Sequence, residues 1–458
     1  MIMTRTVYLF PGLGGYLPGA LSKLMVDHPA TAKALEPVDQ AAREHGLAPL
    51  TPVLTDPGGP EIEDLARTPV LLHLAALGIG IGVHAVLRAE GFASDLVLGH
   101  STGEMTALAA AGCLSAYDAA RVLCEREKAL TELDSGGGLV ALEVGEVRAG
   151  HLCGATGDPT LELSLFNAPR QTVVSGRADG LTSLEKVARA AGVRASRLLV
   201  RYPHHSPLLA PAARRMSEAT ADIELNPARC RVYSPLLGGF VRGPDDIRRI
   251  IDRHLTDPVR YFAAISRLYA HEDVGSFVEV GARALLTDFV TLSLPADVRV
   301  AAPLRVPVGL TDLMNAVDAR PTTKPTDVPA TKDEATVAPS QNGTIPAPRI
   351  VPQPAATEPS PPEVALPTPE RLLAELRELF ADTLGYPLDV FTEDAHLEAD
   401  LGVASVRKTE LLITVLDRYD LPTPTSEIRI RDYNTLPKLV DLVYQLAGRD
   451  PARATTSS

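Results

Sequence analysis

Short apolar runs alternate with longer stretches of helical periodicity from the N-terminus to about residue 310. "TVYLF" (6–10), "DLVLG" (95–99), "VVSG" (173–176) and "SFVEVG" (276–281) have the length and glycine punctuation of buried strands. Between them, "VLLHLAALGIGIGVHAVLRAEG" and "MTALAAAGCL" read as helices. This alternation predicts an α/β fold around a largely parallel sheet. The rhythm changes at the glycine-rich "DSGGG" (134–138), and the strand-like "LVALEV", "LELSLFNA" and "TVVSG" then precede a helix "LTSLEKVARAAG". A small inserted α+β subdomain over about 131–198 is expected. From 320 to 366 apolar periodicity gives way to Pro, Thr, Ala and Glu, a composition that buries too little to offset chain entropy and predicts an extended linker. Beyond it, 367–450 holds three helix-like segments, "PERLLAELRELFADTLG", "SVRKTELLITVLDRYD" and "TLPKLVDLVYQLAG", of which "LRELF" and "LVDLVYQL" place apolar residues at i, i+3, i+4. A small helical bundle is expected there, after a first domain spanning 1–319.

Composition narrows the function classes. A chain of 458 residues with a net charge of -13 has no basic stripe for a polyanion, and it contains no Trp, so no nucleic-acid partner is expected. Cys113, Cys124, Cys153 and Cys230 are scattered without metal-ligand or disulfide-framework spacing, which suits a reducing cytoplasm and predicts no metal site. The N-terminus runs directly into a strand, and no apolar stretch approaches twenty residues; neither export nor membrane insertion is expected.

The chemistry centres on "LVLGHSTGEMTALAAAG" (96–112), where a buried strand meets a helix with Ser101 at the junction. In that setting G-x-S-x-G is a nucleophile elbow: the flanking glycines permit the sharp turn, and the helix N-terminus supplies a positive dipole. A helix-capping serine with incidental glycines is the alternative. Among eleven histidines, adjacent His204 and His205 in "RYPHHSPLLAPAARRM" stand out as loop candidates for a base.

These segments resemble the malonyl-CoA:acyl carrier protein transacylases and the acyltransferase domains of polyketide synthases. "GHSTGE" matches G-H-S-x-G-E and "HHSPLL" matches H-S-P-L-M. "FNAPRQTVVSG", "LTDPVRYFAAI" and "FVEVGARALLT" match three further family segments in order. The resemblance covers the first 310 residues and implies a hydrolase-like parallel sheet with a ferredoxin-like insert. It makes Ser101 the acyl-accepting nucleophile, with His100 beside it at the substrate, and His205 the general base of a Ser-His dyad. The base would be oriented by a backbone carbonyl from the position of His254. In "AARVLCEREKAL", Arg126 falls on the family's carboxylate-binding arginine, 25 residues after Ser101. The opening F-P-G-Q-G-x-Q reads "FPGLGGY", so Leu13 and Tyr16 replace two glutamines, while main-chain N–H groups of Leu13 and Thr102 remain for an oxyanion hole. The specificity tetrapeptide, H-A-F-H in malonyl and Y-A-S-H in methylmalonyl enzymes, is "YPHH", with Tyr202 and His204 in its first and third places; we read it as malonyl.

"EADLGVAS" (398–405) resembles the acyl carrier protein motif E-x-D-L-G-x-D-S, with Ala404 in place of the aspartate and Arg407 and Lys408 following. A capping serine is again the alternative. The resemblance makes Ser405 the attachment site of 4'-phosphopantetheine, added by a phosphopantetheinyl transferase. The combined expectation is an enzyme that takes a malonyl-type group from a coenzyme A thioester onto Ser101 and passes it to a carrier thiol, its own included. Ketosynthase or other polyketide synthase components would be partners. An editing hydrolase, or a carrier module with a degenerate transferase domain, are the alternatives.

Overall fold

The computed structural model describes residues 5–92, 94–318, 367–384, 388–397 and 433–447, with isolated positions between 401 and 421. The chain divides into two compact units, 1–323 and 324–458.

The first unit is built on a six-stranded sheet. In chain order its strands are β1 (Arg5–Phe10), β2 (Leu96–Gly99), β7 (Arg231–Ser234), β8 (Gly239–Phe240), β9 (Val274–Glu279) and β10 (Arg299–Ala301), and their spatial order is β10-β9-β1-β2-β7-β8. Every pairing is parallel except β7 with the edge strand β8. Both faces of the central strands are covered, and the sequence shows why. In β1, Tyr8 and Phe10 enter one apolar cluster while Val7 and Leu9 enter another; in β2, Val97 faces the first and Leu96 and Leu98 the second. Register Phe10↔Gly99 brings the carboxyl ends of β1 and β2 side by side. The chain passes from β1 through β2 and β7 to β8 on one side and returns to β9 on the other side of β1, so the connections diverge at β1 and this end is the crevice where open α/β sheets bind ligands.

Helix Pro69–Ala89 corrects one reading of the sequence. It has 21 residues with a mean hydropathy of 2.1 in its most apolar window, long and apolar enough by length and composition to cross a membrane. His73 and His84 interrupt the run in the sequence without breaking its apolar character. The window is 78% buried inside the unit, so this is a core helix, with the His84 ring edge-on to Phe10 at 6.0 Å.

The inserted region forms a second sheet from β3 (Gly138–Leu142), β4 (Glu162–Ala168), β5 (Gln171–Gly176) and β6 (Ala195–Arg197). Its order is β4-β5-β3-β6 with every pairing antiparallel, and helices Glu146–Thr156 and Ala178–Ala190 complete a β-α-β-β-α-β sequence. The sheet also reaches out of itself. Phe166 N–H donates to the Val259 carbonyl at 2.9 Å and Val259 N–H to the Ser164 carbonyl at 2.9 Å, adding one rung from the segment after helix Pro244–Arg253.

In the second unit, helices Pro369–Leu384 and Leu436–Leu446 share an apolar core that includes Leu376, Phe380, Phe391, Leu439 and Val443. Lys408 is buried in this unit. Most of the expected middle helix, with Gly402, Ala404, Ser405 and Arg407, lies outside the described residues.

Candidate active site

Ser101 stands at the carboxyl end of β2 with φ 53°, in the left-handed region that disfavours any residue with a Cβ. The two motif glycines make that turn possible. A Cβ on Gly99 would lie 2.3 Å from the Gly103 carbonyl oxygen, and one on Gly103 would lie 2.0 Å from that of Phe10. Strand, turn and helix Gly103–Ala110 therefore meet backbone to backbone. Glu104, in the first turn of that helix, pins it from the other side. Its buried carboxylate accepts from Ser234 Oγ at 2.6 Å and Leu236 N–H at 3.0 Å, and burial pushes its pKa up to about 7.

Ser101 Oγ lies 2.8 Å from His205 Nε2, and His205 Nδ1 lies 2.9 Å from the main-chain carbonyl of Asp257. A carbonyl only accepts, so Nδ1 carries the proton and Nε2 offers a lone pair to the serine hydroxyl. Burial holds the His205 pKa well below the usual imidazole range, with His254 adding to the effect, so the ring is a neutral base at pH 7. His205 too is left-handed, at φ 59°, and its loop is tied to the 254–257 segment by Ser206 N–H donating to the Leu255 carbonyl at 3.2 Å.

The orienting carbonyl belongs to Asp257 and not to His254, where the sequence reading put it. His254 ends helix Pro244–Arg253, and its imidazole Nε2 donates to the Ser101 carbonyl at 3.0 Å. Asp257 precedes Pro258, which biases it to extended backbone and turns its carbonyl towards the base. The main-chain N–H groups of Leu13 and Thr102 donate to no other group among the described residues. Leu13 opens a short turn directly after β1, half-buried, so both donors sit at the adjoining strand ends. Tyr16 is fully buried and spends its hydroxyl on the Pro60 carbonyl at 2.7 Å, a structural use that leaves it out of the site.

His100 is buried, its Nε2 2.8 Å from Asn167 Oδ1 and its ring edge-on to Tyr261 at 5.4 Å. Asn167 belongs to β4, so the smaller sheet braces the residue before the nucleophile. Arg126 is 1% exposed on helix Ala116–Leu133. Its guanidinium donates to His73 Nε2 at 2.9 Å and His204 Nδ1 at 3.1 Å. Both imidazoles accept and are held neutral by burial and by the cation, while burial brings Arg126 down to about 10, still charged at pH 7. His204 packs edge-on to the buried Tyr202 at 6.3 Å. A small cleft lies against this group, lined by Leu13, Leu72, His73, Tyr202 and His204 among others. Sequence reasoning missed His73, Asn167 and the Asp257 carbonyl; only Asn167, inside "FNAPRQ", had a motif to flag it.

A strained serine on an elbow, a neutral imidazole aimed at its hydroxyl and two unused N–H donors at the same strand ends make an acyl-accepting centre. The sequence profile described as acyl transferase domain matches residues 7–307. The chain belongs to the acyl transferase domain family. This acyltransferase is 32% identical over 294 residues to the spectinabilin polyketide synthase system protein NorA' of Streptomyces orinoci, a match covering 62% of the chain but 8% of that relative. Among solved structures, the malonyl-CoA:acyl carrier protein transacylase of Xanthomonas oryzae pv. oryzae aligns with TM-score 0.62 at 25% identity, covering 69% of this chain and 99% of the other. A loading acyltransferase from the avermectin modular polyketide synthase aligns with TM-score 0.61 at 26% identity, over 68% and 98%. The acyltransferase fold is thus the mixed α/β architecture with a parallel sheet that these enzymes share.

Proposed function

We propose that the protein takes an acyl group, malonyl-type or related, from a coenzyme A thioester onto Ser101 and delivers it to the 4'-phosphopantetheine thiol of an acyl carrier protein. The observation that carries this reading is the relay from Ser101 Oγ through His205 Nε2 and Nδ1 to the Asp257 carbonyl. His205 takes the hydroxyl proton as Oγ attacks the thioester carbonyl; the N–H groups of Leu13 and Thr102 receive the oxyanion. Collapse breaks the carbon–sulfur bond, and the departing thiolate takes the proton from His205. The second half runs in reverse: His205 deprotonates the pantetheine thiol, and Ser101 regains its proton as the ester breaks.

The resemblance of "EADLGVAS" to carrier motifs supports Ser405 as the bearer of that arm and the second unit as a carrier bundle. Its linker of roughly fifty residues supports transfer within one chain at an effective concentration up to about millimolar. The β-α-β-β-α-β order of the insert supports a ferredoxin-like subdomain. The first partner would be a phosphopantetheinyl transferase, and the acyl carrier product would go to a ketosynthase or another polyketide synthase component.

The test is incubation of the pantetheinylated full chain with radiolabelled malonyl-CoA and other acyl-CoAs. Label is expected on Ser101 and then on Ser405, and Ser101→Ala should abolish both. Label at Ser405 that persists in Ser101→Ala would overturn loading through this site.

A further inference from the structure

The two imidazoles that hold Arg126 are neutral, so they orient the guanidinium without balancing its charge. The balancing charge sits on the next residue. Glu127 Oε2 lies 3.7 Å from Arg126 Nη1 and 3.8 Å from His73 Nε2, its side chain is 9% exposed, and this oxygen accepts no hydrogen bond. A buried carboxylate oxygen without hydrogen bonds is costly unless an opposite charge faces it. Arg126 is that charge: burial raises the Glu127 pKa, and Arg126, with the exposed Arg201 adding less, acts against that rise. His73 and His204 line the adjoining pocket, whereas Arg126 stands behind them.

We propose that Glu127 is a specificity-determining residue: it supplies from within the protein the negative charge that a carboxylated acyl group would otherwise bring to Arg126. The pocket therefore accepts uncharged acyl groups alongside dicarboxylic ones and separates them little. A wall in which cation and anion already cancel gives an incoming carboxylate a hydrogen-bond donor but little net attraction. This inference rests on the acyl-transfer reading above.

The test offers the full-length protein equimolar malonyl-CoA and propionyl-CoA and reads the two Ser101 adducts by intact mass. The wild-type malonyl-to-propionyl ratio is expected within about threefold of one, and Glu127→Gln, which removes the charge and keeps the shape, should raise it about tenfold. Glu127→Asp withdraws the carboxylate by one methylene and should move the ratio the same way by about two- to threefold, which keeps the test alive if the glutamine variant does not fold. A merely structural role would slow both acylations together and leave the ratio unmoved. An unchanged ratio in the variants, or a wild type that already prefers malonyl more than about thirtyfold, overturns the inference alone. The absence of any Ser101 adduct overturns the acyl-transfer reading and the inference with it.

Discussion

Replacing Gly99 with alanine tests whether the elbow geometry carries the activity. The new Cβ would lie 2.3 Å from the Gly103 carbonyl oxygen and 2.4 Å from both N and Cα of Glu104. All three are main-chain atoms, so no side chain can rotate away. An ordinary contact needs about 3.4 Å, so strand and helix must separate by about 1 Å, an overpacking strain of roughly 1–3 kcal/mol. That shift acts where Ser101 Oγ is 2.8 Å from His205 Nε2, and a misplacement of about 1 Å in a reacting pair costs on the order of 10²-fold in rate. The assay is the rate of Ser101 acylation by rapid-quench intact mass, with thermal unfolding on the same samples. Gly239→Ala is the control, because nothing lies within 4 Å of its Cβ position. A folded Gly99→Ala protein that acylates within about threefold of wild type would refute the claim that this close approach sets the nucleophile.

Because burial keeps His205 neutral, the acylation rate should hold its plateau as pH falls through 6.5 and decline only below it; an inflection at or above 6.5 in single-turnover acylation would contradict the assigned environment. Glu104 makes a stability prediction of definite sign. Its folded pKa is raised by burial from 4.5 to about 7, so the folded state binds more protons between those values and stability falls as pH rises through that window, by up to roughly 3 kcal/mol. Glu104→Gln should flatten that decline in urea-unfolding midpoints measured between pH 5 and 8, and an unaltered slope would count against it.

Much of the larger sheet was legible because its strands are short apolar runs with glycine at their ends, and Ser101 because a strand-to-helix change of period brackets it. The helix itself was legible, but its apolar run was underestimated, since His73 and His84 look polar in a string but are buried in the core, His73 against Arg126 and His84 against Phe10. His73 itself had no signal, being 53 residues from the arginine it holds. The carbonyl that orients His205 was assigned three residues early. Every residue has a carbonyl, so only the turn before Pro258 decides which one faces the imidazole. The pairing of Asn167 with His100 crosses between the two sheets, a contact that periodicity within either sheet does not encode.

An acceptor made of peptide backbone has a consequence for how this centre fails. Where a carboxylate side chain orients the base, one codon change disarms it. The Asp257 side chain can be exchanged while its carbonyl stays in place beneath His205. What the base depends on is the path of the chain, held by the rung between Val259 and β4 and by the proline that follows Asp257. Insertions, deletions and loss of Pro258 are therefore the lesions that would silence it, and side-chain replacements at 257 the ones it should survive.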